Sequence, residues 1–134
     1  METSEKSAIF VLMGERKQIK QVESKIIVLR DTQVILDRDI ADLYGVETRD
    51  INKAVKNKFP QGYIITLEKE EKKELVENFH RFNPLKHSTV LPKAFTEKGL
   101  YMLATIIKSP LATEATIAII ETFTKLRQLA RAMQ

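Results

Sequence analysis

The run from Thr48 to Pro60 concentrates side chains that could contact nucleic acid. If it forms a helix with Ile51 turned inward, a rotation of about 100° per residue places five polar side chains on or beside the outer face: Arg49, Asn52, Lys53, Lys56 and Asn57. Arginine can bind guanine through two hydrogen bonds, asparagine can bind adenine in the same way, and lysine neutralises phosphates. The run therefore predicts a surface for double-stranded DNA, with Lys58 and Arg38 as flanking phosphate contacts.

The same charges also suit an ordinary solvated helix, because surface helices of basic proteins turn lysine and arginine outward. The chain has 134 residues, with 22 Lys and Arg against 18 Asp and Glu, which gives a net charge of +4. This balance permits a polyanionic partner without requiring one. A protein-interaction module that recruits or inhibits a regulator without contacting DNA is therefore the second interpretation.

Catalytic and metal-binding patterns are weak in this sequence. Glu77 and His80 have helical spacing and His87 follows, but no second motif supplies further metal ligands. The four glycines stand apart, so no phosphate-binding glycine loop and no nucleophile elbow is formed. We therefore expect no enzyme activity, no cofactor, no metal and no small-molecule substrate.

Cysteine usage and hydropathy bear on the compartment. The chain contains no cysteine, so no disulfide framework or thiolate metal site is available. The early apolar run from Ala8 to Met13 is too short for a signal sequence or a membrane span. We expect a cytoplasmic protein with no membrane partner.

Two short helices must hold the predicted DNA-contacting surface. Apolar residues between positions 39 and 45 share one helical face, and Gly45 suits the left-handed conformation that ends a helix. Only two residues separate Gly45 from Thr48, the predicted cap of the next helix. So tight a connection is typical of a helix-turn-helix. The residues expected to hold the two helices together without touching DNA are Leu43, Tyr44 and Val46.

The remaining elements predict an α+β fold. The stretch from Lys25 to Asp37 reads as a β-hairpin, with Asp37 or Asp39 able to cap the helix that follows, and Gly62 to Leu67 as a third strand. Arg81 to Leu91 looks like the least regular loop. Three helix starts are predicted from their capping residues: Thr66 before a charged helix reaching Phe79, Thr96 before a core helix, and Ser109 with Pro110 before a long C-terminal helix.

These elements divide the chain into an N-terminal arm at residues 1–24, a domain at 25–109 and the C-terminal helix at 110–134. In that helix an apolar stripe continues at alternating spacings of four and three: Ile119, Phe123, Leu126, Ala130 and Met133. The stripe predicts either the interface of a homodimer or packing against the protein's own core. A dimer would suit DNA binding, because a two-fold dimer reads two half-sites.

Three segments together resemble the ORF6N domain, which is related to the KilA-N group: VILDRDIADLYGVETRDINKAVK, KFPQGYIITL and LPKAFTEKGLYMLATIIKS. The resemblance extends from Lys25 to about Arg127. It implies DNA binding and phage-linked regulation, as a repressor or an antirepressor, and no catalysis. The matching positions are Leu36, Asp37, Leu43, Tyr44, Gly45, Val46, Asn52, Val55, Phe59, Pro60, Ala94, Phe95, Thr96 and Gly99.

The sequence departs from the family pattern in two places. Many members have a longer link between the second helix and the Phe-Pro pair, whereas here only Asn57 and Lys58 connect them. Members also often carry an arginine and a tyrosine near the third segment, and here Val90 and Lys93 occupy that neighbourhood.

Overall fold

The computed structural model describes residues 21–56 and 58–133. Four short antiparallel strands form one sheet in the order β1, β2, β4, β3. The strands are β1 (Ile26–Leu29), β2 (Thr32–Leu36), β3 (Ile64–Thr66) and β4 (Lys93–Phe95). The predicted hairpin and third strand are therefore confirmed, and β4 lies between β2 and β3.

Both faces of the sheet are covered, because apolar side chains occupy alternating positions along the strands. Ile35 and Phe95 point into a main core shared with most of the helices. Val34, Leu36 and Ala94 point into a second core on the other face. The sheet is therefore the middle layer of three, with helices on each side.

The predicted pair of short helices packs on the main-core face. Helix α1 is Asp37–Tyr44 and helix α2 is Thr48–Val55. Gly45 ends α1 in the left-handed conformation (φ 70°), and the Val46 N–H donates to the Ala41 carbonyl at 2.9 Å. Tyr44 is buried, its hydroxyl meets that of Thr116, and Leu43 and Val46 pack against the main core.

The second core lies beneath helix α3 (Lys69–Asn78) and a 3-10 helix (His80–His87). The prediction that Arg81 to Leu91 is the least regular loop is wrong for most of its length, because the 3-10 helix buries Phe82 completely. The predicted cap at Thr66 is also wrong. Thr66 is the last residue of β3, and the Glu68 and Glu71 side chains form a capping box at the start of α3.

Helices α4 (Glu97–Ile106) and α5 (Pro110–Ala132) complete the main core. Their predicted caps are confirmed, because the Thr96 and Ser109 side chains accept hydrogen bonds from backbone N–H groups in the first turn. At α2 and α1 the predictions differ from the structure. Glu47 rather than Thr48 precedes α2, and Asp37 is already the first residue of α1.

The architecture is that of the predicted α+β class, with a small sheet, the pair of short helices and a long C-terminal helix. Val22 is also buried in the main core, so the end of the predicted N-terminal arm packs against the domain. None of the described helices has the length and apolar character needed to cross a membrane.

Candidate nucleic-acid interface

Helix α2 has one buried side and one solvent-facing side. Ile51 and Val55 lie in the main core, as the helical spacing predicts. Lys53 and Lys56 are exposed, and 82% of the Arg49 side chain is accessible. The predicted cationic face is therefore available to a partner.

This exposed face borders a groove of about 1060 Å³, here called the α2 groove. Its opposite wall is the segment from Lys58 to Thr66, which leads from α2 into β3. Phe59 holds this wall in place, because its ring packs edge-on against Phe95 at a centroid distance of 6.2 Å. The groove gathers five cationic side chains and one carboxylate, that of Asp50: Arg49, Lys53, Lys56, Lys58 and Lys93.

The acidic residues at the start of α2 have structural roles of their own. The Asp50 carboxylate accepts the Glu47 N–H at 3.0 Å and forms a capping box with the Glu47 side chain. Glu47 also pairs with Arg49 at 2.6 Å, but both side chains are largely exposed. Such an exposed pair contributes little free energy, so Arg49 can exchange Glu47 for another anion.

Asn52 is engaged by neighbouring residues, whereas the predicted adenine contact requires a free side-chain amide. It is half-buried, and its Oδ1 accepts a hydrogen bond from Lys93 Nζ at 3.2 Å. Its side chain also lies close enough to the Asp37 carboxylate to lower the pKa of that group. Because Oδ1 is engaged, adenine readout that uses both ends of the Asn52 amide would require the bond from Lys93 to break. In this geometry Asn52 positions α2 rather than presenting a free amide.

Asp37 and Lys93 are the members of this network that the sequence did not identify as site residues. Burial raises the pKa of the Asp37 carboxyl, while hydrogen bonds from the Arg38 N–H, from Asn52 and from the Lys93 backbone oppose that rise. Lys93 reaches Asn52 because β4 pairs with both β2 and β3. The only sequence signal was its departure from the family pattern.

Arg38 lies outside the α2 groove, contrary to its grouping with the DNA contacts. It borders a neighbouring cleft of about 660 Å³, the Arg81 cleft, and its guanidinium lies 5.8 Å from the Phe82 ring centroid. Arg81 stacks on the same ring at 3.9 Å and pairs with Asp39 at 3.0 Å. Three cations and three aspartates line the cleft, so its charge is balanced: Lys25, Arg38 and Arg81 with Asp37, Asp39 and Asp42.

The five residues of the predicted dimer stripe lie in two different environments. Ile119 and Phe123 are fully buried in the main core, because α5 packs there against α1 and α4. Their assignment to a dimer interface is therefore wrong. The remaining three residues lie beyond the core: Leu126 is half-buried, whereas Ala130 and Met133 are exposed.

Two further predictions concern Asn57 and a metal site. Asn57 lies outside the described residues. Within the described part of the chain, no group of three or more histidine and acidic side chains is arranged to hold a metal ion. His80 instead lies beside Asn83, with 3.5 Å between its Nδ1 and the amide nitrogen.

Comparison with known proteins identifies the fold family. A family model described as the ORF6N domain matches residues 24–106, which is more than half of the chain. The match covers the sheet, the α2 groove and α4, and it ends before α5, earlier than the resemblance in the sequence indicated. No curated protein and no solved structure matches this chain. The chain belongs to the ORF6N domain family.

Proposed function

We propose that the protein binds double-stranded DNA, with α2 as the helix that enters the major groove. A helix with its side chains is about 10–12 Å across, and the major groove of B-DNA is about 12 Å wide. Arg49, Lys53 and Lys56 lie on the side of α2 that faces away from the core. Arg49 is suited to base readout, because its side chain is free of the core and arginine binds guanine through two hydrogen bonds.

The observation that supports this proposal best is the charge of the α2 groove. Five cations face one carboxylate there, and that carboxylate is engaged in capping α2. The neighbouring Arg81 cleft has balanced charge, so the excess positive charge belongs to the α2 groove and is not spread evenly over this side. A concave site with cations on both walls suits the paired phosphate strands that border a major groove.

The experiment compares wild type with the double variant Lys53→Glu, Lys56→Glu in titrations of labelled duplex DNA at several salt concentrations. Each lysine that contacts a phosphate contributes about one to the slope of log affinity against log salt. We expect the variant to bind all sequences more weakly and to lose about two from that slope.

A matched control carries the same change in net charge at two exposed lysines elsewhere, Lys108→Glu in the link between α4 and α5 and Lys125→Glu on α5. The control should bind nearly as tightly as wild type, because these positions lie outside the α2 groove. Titrations of the α2 variant that overlay those of wild type would exclude α2 as the DNA-binding surface.

We further propose that binding is sequence-specific and serves phage-linked transcriptional regulation, as a repressor or an antirepressor. This step rests on the family and on the availability of Arg49 for base readout. Selection of bound duplexes from a random pool tests specificity. An enriched motif that is lost in Arg49→Lys supports it, because lysine cannot form the bidentate contact with guanine.

A protein-interaction module is the second candidate, and the end of α5 favours it. Leu129 is 51% exposed and Met133 is 86% exposed, and both lie on the part of the helix that extends beyond the core. An apolar contact of this kind would depend little on salt, whereas phosphate contacts weaken steeply as salt increases. Wild-type protein that binds no duplex even at low salt would favour this second function.

A further inference from the structure

Helix α3 carries a second concentration of positive charge that the proposed contact with α2 does not use. Its lysines lie on one side, at Lys69, Lys72 and Lys73, and three of its glutamates lie on the rest of the circumference, at Glu70, Glu71 and Glu74. Glu71 is also neutralised, because it pairs with Arg30 at 2.7 Å. The helix therefore presents a cationic side although its overall composition is mixed.

The cationic side of α3 borders a cleft of about 690 Å³, here called the α3 cleft. The 3-10 helix and the loop after it form the other wall and add Lys86, Asn83 and Thr89. Lys72 is used structurally, since its ammonium donates to the Ser88 carbonyl. The other three lysines are exposed, and none forms an ion pair within the described residues: Lys69, Lys73 and Lys86.

The chemistry of this cleft fits a phosphate backbone better than bases. Lysine ammonium, threonine hydroxyl and asparagine amide groups are the side-chain donors that proteins use for phosphate oxygens. Glu77 is the one carboxylate among the residues that line the cleft. A site with several cations and few acceptors binds a repeated anion and carries no sequence information.

The α3 cleft also lies beside the α2 groove. Thr66 borders the groove and Lys69 borders the cleft, so these two edges are three residues apart along the chain. Three extended residues span at most about 11 Å. This upper limit is below the width of the DNA major groove, about 12 Å. The Arg81 cleft also links the two sites, because Asn52 borders both it and the α2 groove, and Ser88 and Leu91 border both it and the α3 cleft. A duplex with α2 in its major groove can therefore place bordering phosphates on the α3 cleft.

We infer that the α3 cleft is a second phosphate-binding site for the same DNA duplex that occupies the α2 groove. The inference rests on the proposed DNA binding and extends it: α2 reads the duplex, and Lys69, Lys73 and Lys86 bind its backbone beside the reading helix. These contacts add affinity and fix the orientation of the protein without adding sequence preference.

The test uses the full chain and a duplex of about 25 base pairs, which at roughly 3.4 Å per step extends well beyond the domain. The variant Lys69→Ala, Lys73→Ala removes two cations and keeps α3 helical, because alanine is the best helix former. We expect the slope of log affinity against log salt to become shallower by about two, with unchanged discrimination between duplex sequences. The control Lys108→Ala, Lys125→Ala should keep the wild-type slope.

Lys86→Ala gives an independent measurement on the other wall and should reduce the slope by about one. Wild-type slopes in both α3-cleft variants, while Lys53→Glu, Lys56→Glu still loses binding, would overturn the second site and leave the α2 interface standing. An equal loss in the control would overturn it as well, because the effect would then be one of general charge. Failure of wild type to bind any duplex would instead overturn the proposed function together with the second site.

Discussion

At the scale of single residues, the candidate interface depends on Asp37, a buried carboxylate beneath it. Asp37 is 5% exposed and lies beside Asn52, which accepts a hydrogen bond from Lys93. Burial raises the pKa of Asp37 above its ordinary value of 3.8 because the charged form is poorly solvated there. The network that positions α2 therefore includes an acid whose ionised form weakens the fold.

The sign of the resulting pH dependence follows from proton linkage. The folded-state pKa of Asp37 lies above the unfolded value. The folded protein therefore binds more protons than the unfolded protein in the pH window that starts near 3.8 and extends upward. The contribution of Asp37 to stability is therefore largest in acid and falls as pH rises through that window, by about 1.4 kcal/mol for each unit of raised pKa.

We predict that Asp37→Asn becomes more stable relative to wild type as pH rises from the acid end of this window toward neutrality. The variant cannot ionise, so it escapes the cost of a buried charge. Urea unfolding followed by circular dichroism at a series of pH values measures the difference in free energy of unfolding. A difference that stays constant across the series would contradict the raised pKa.

At the scale of elements, one close approach fixes α4 against the sheet. Thr96 donates its hydroxyl to the Tyr63 carbonyl at 2.9 Å, and the Thr96 N–H donates to the same oxygen at 3.1 Å. Gly99 lies directly beneath this contact, where a β-carbon would collide with the Tyr63 carbonyl. The backbone at Tyr63 crosses α4 at this point, which explains the glycine inside a core helix. The same segment of backbone forms a wall of the α2 groove.

We predict that Gly99→Ala lowers the melting temperature, although the same change in an open helix stabilises by about 0.5–1 kcal/mol. Overpacking of this kind typically costs about 1–3 kcal/mol. The matched control is Lys98→Ala, an exposed neighbour in the same helix, which should change stability by no more than about 0.5 kcal/mol. Thermal unfolding of both variants measures the change in melting temperature. A stabilised Gly99→Ala would show that the backbone at Tyr63 and α4 can move apart at little cost in free energy.

At the scale of the whole molecule, α5 has two functions along its length. Its N-terminal part, as far as Phe123, closes the main core through residues that include Ile119 and Phe123. Its last buried residue is Phe123, and the helix continues to Ala132, which adds about 13 Å beyond the core. Leu126, Ala130 and Met133 continue the apolar stripe along this extension, with exposed Leu129 beside them.

We predict that this extension associates with the same segment of a second copy, weakly, because only a few apolar side chains remain outside the core. Leu129→Lys, Met133→Lys should give monomers that keep the wild-type circular dichroism spectrum, since both residues lie outside the core. Ile117→Lys is the control: it is 52% exposed on the same helix but lies outside the stripe. Sedimentation velocity over a range of concentrations measures the association, and wild type that is monomeric at micromolar concentration would rule it out.

The local elements of this protein can be predicted from its amino-acid sequence. The hairpin, the end of α1 at Gly45, the inward side of α2 and the caps at Thr96 and Ser109 were all predictable. Each depends on side chains within a few residues of one another, so spacing and capping chemistry are sufficient. The cationic outer face of α2 follows for the same reason, because burying Ile51 fixes where Arg49 and Lys53 point.

Which of those faces form a site and which belong to the core depends on how distant segments pack together. Asn52 and Lys93 are 41 positions apart and joined by a side-chain hydrogen bond, and no local pattern indicates the strand register that places Lys93 there. An apolar stripe likewise looks the same whether it is covered by another copy or by the protein itself. Burial of Phe123 and the neighbouring positions of the α2 groove and the α3 cleft are consequences of packing between distant segments, which local spacing cannot encode.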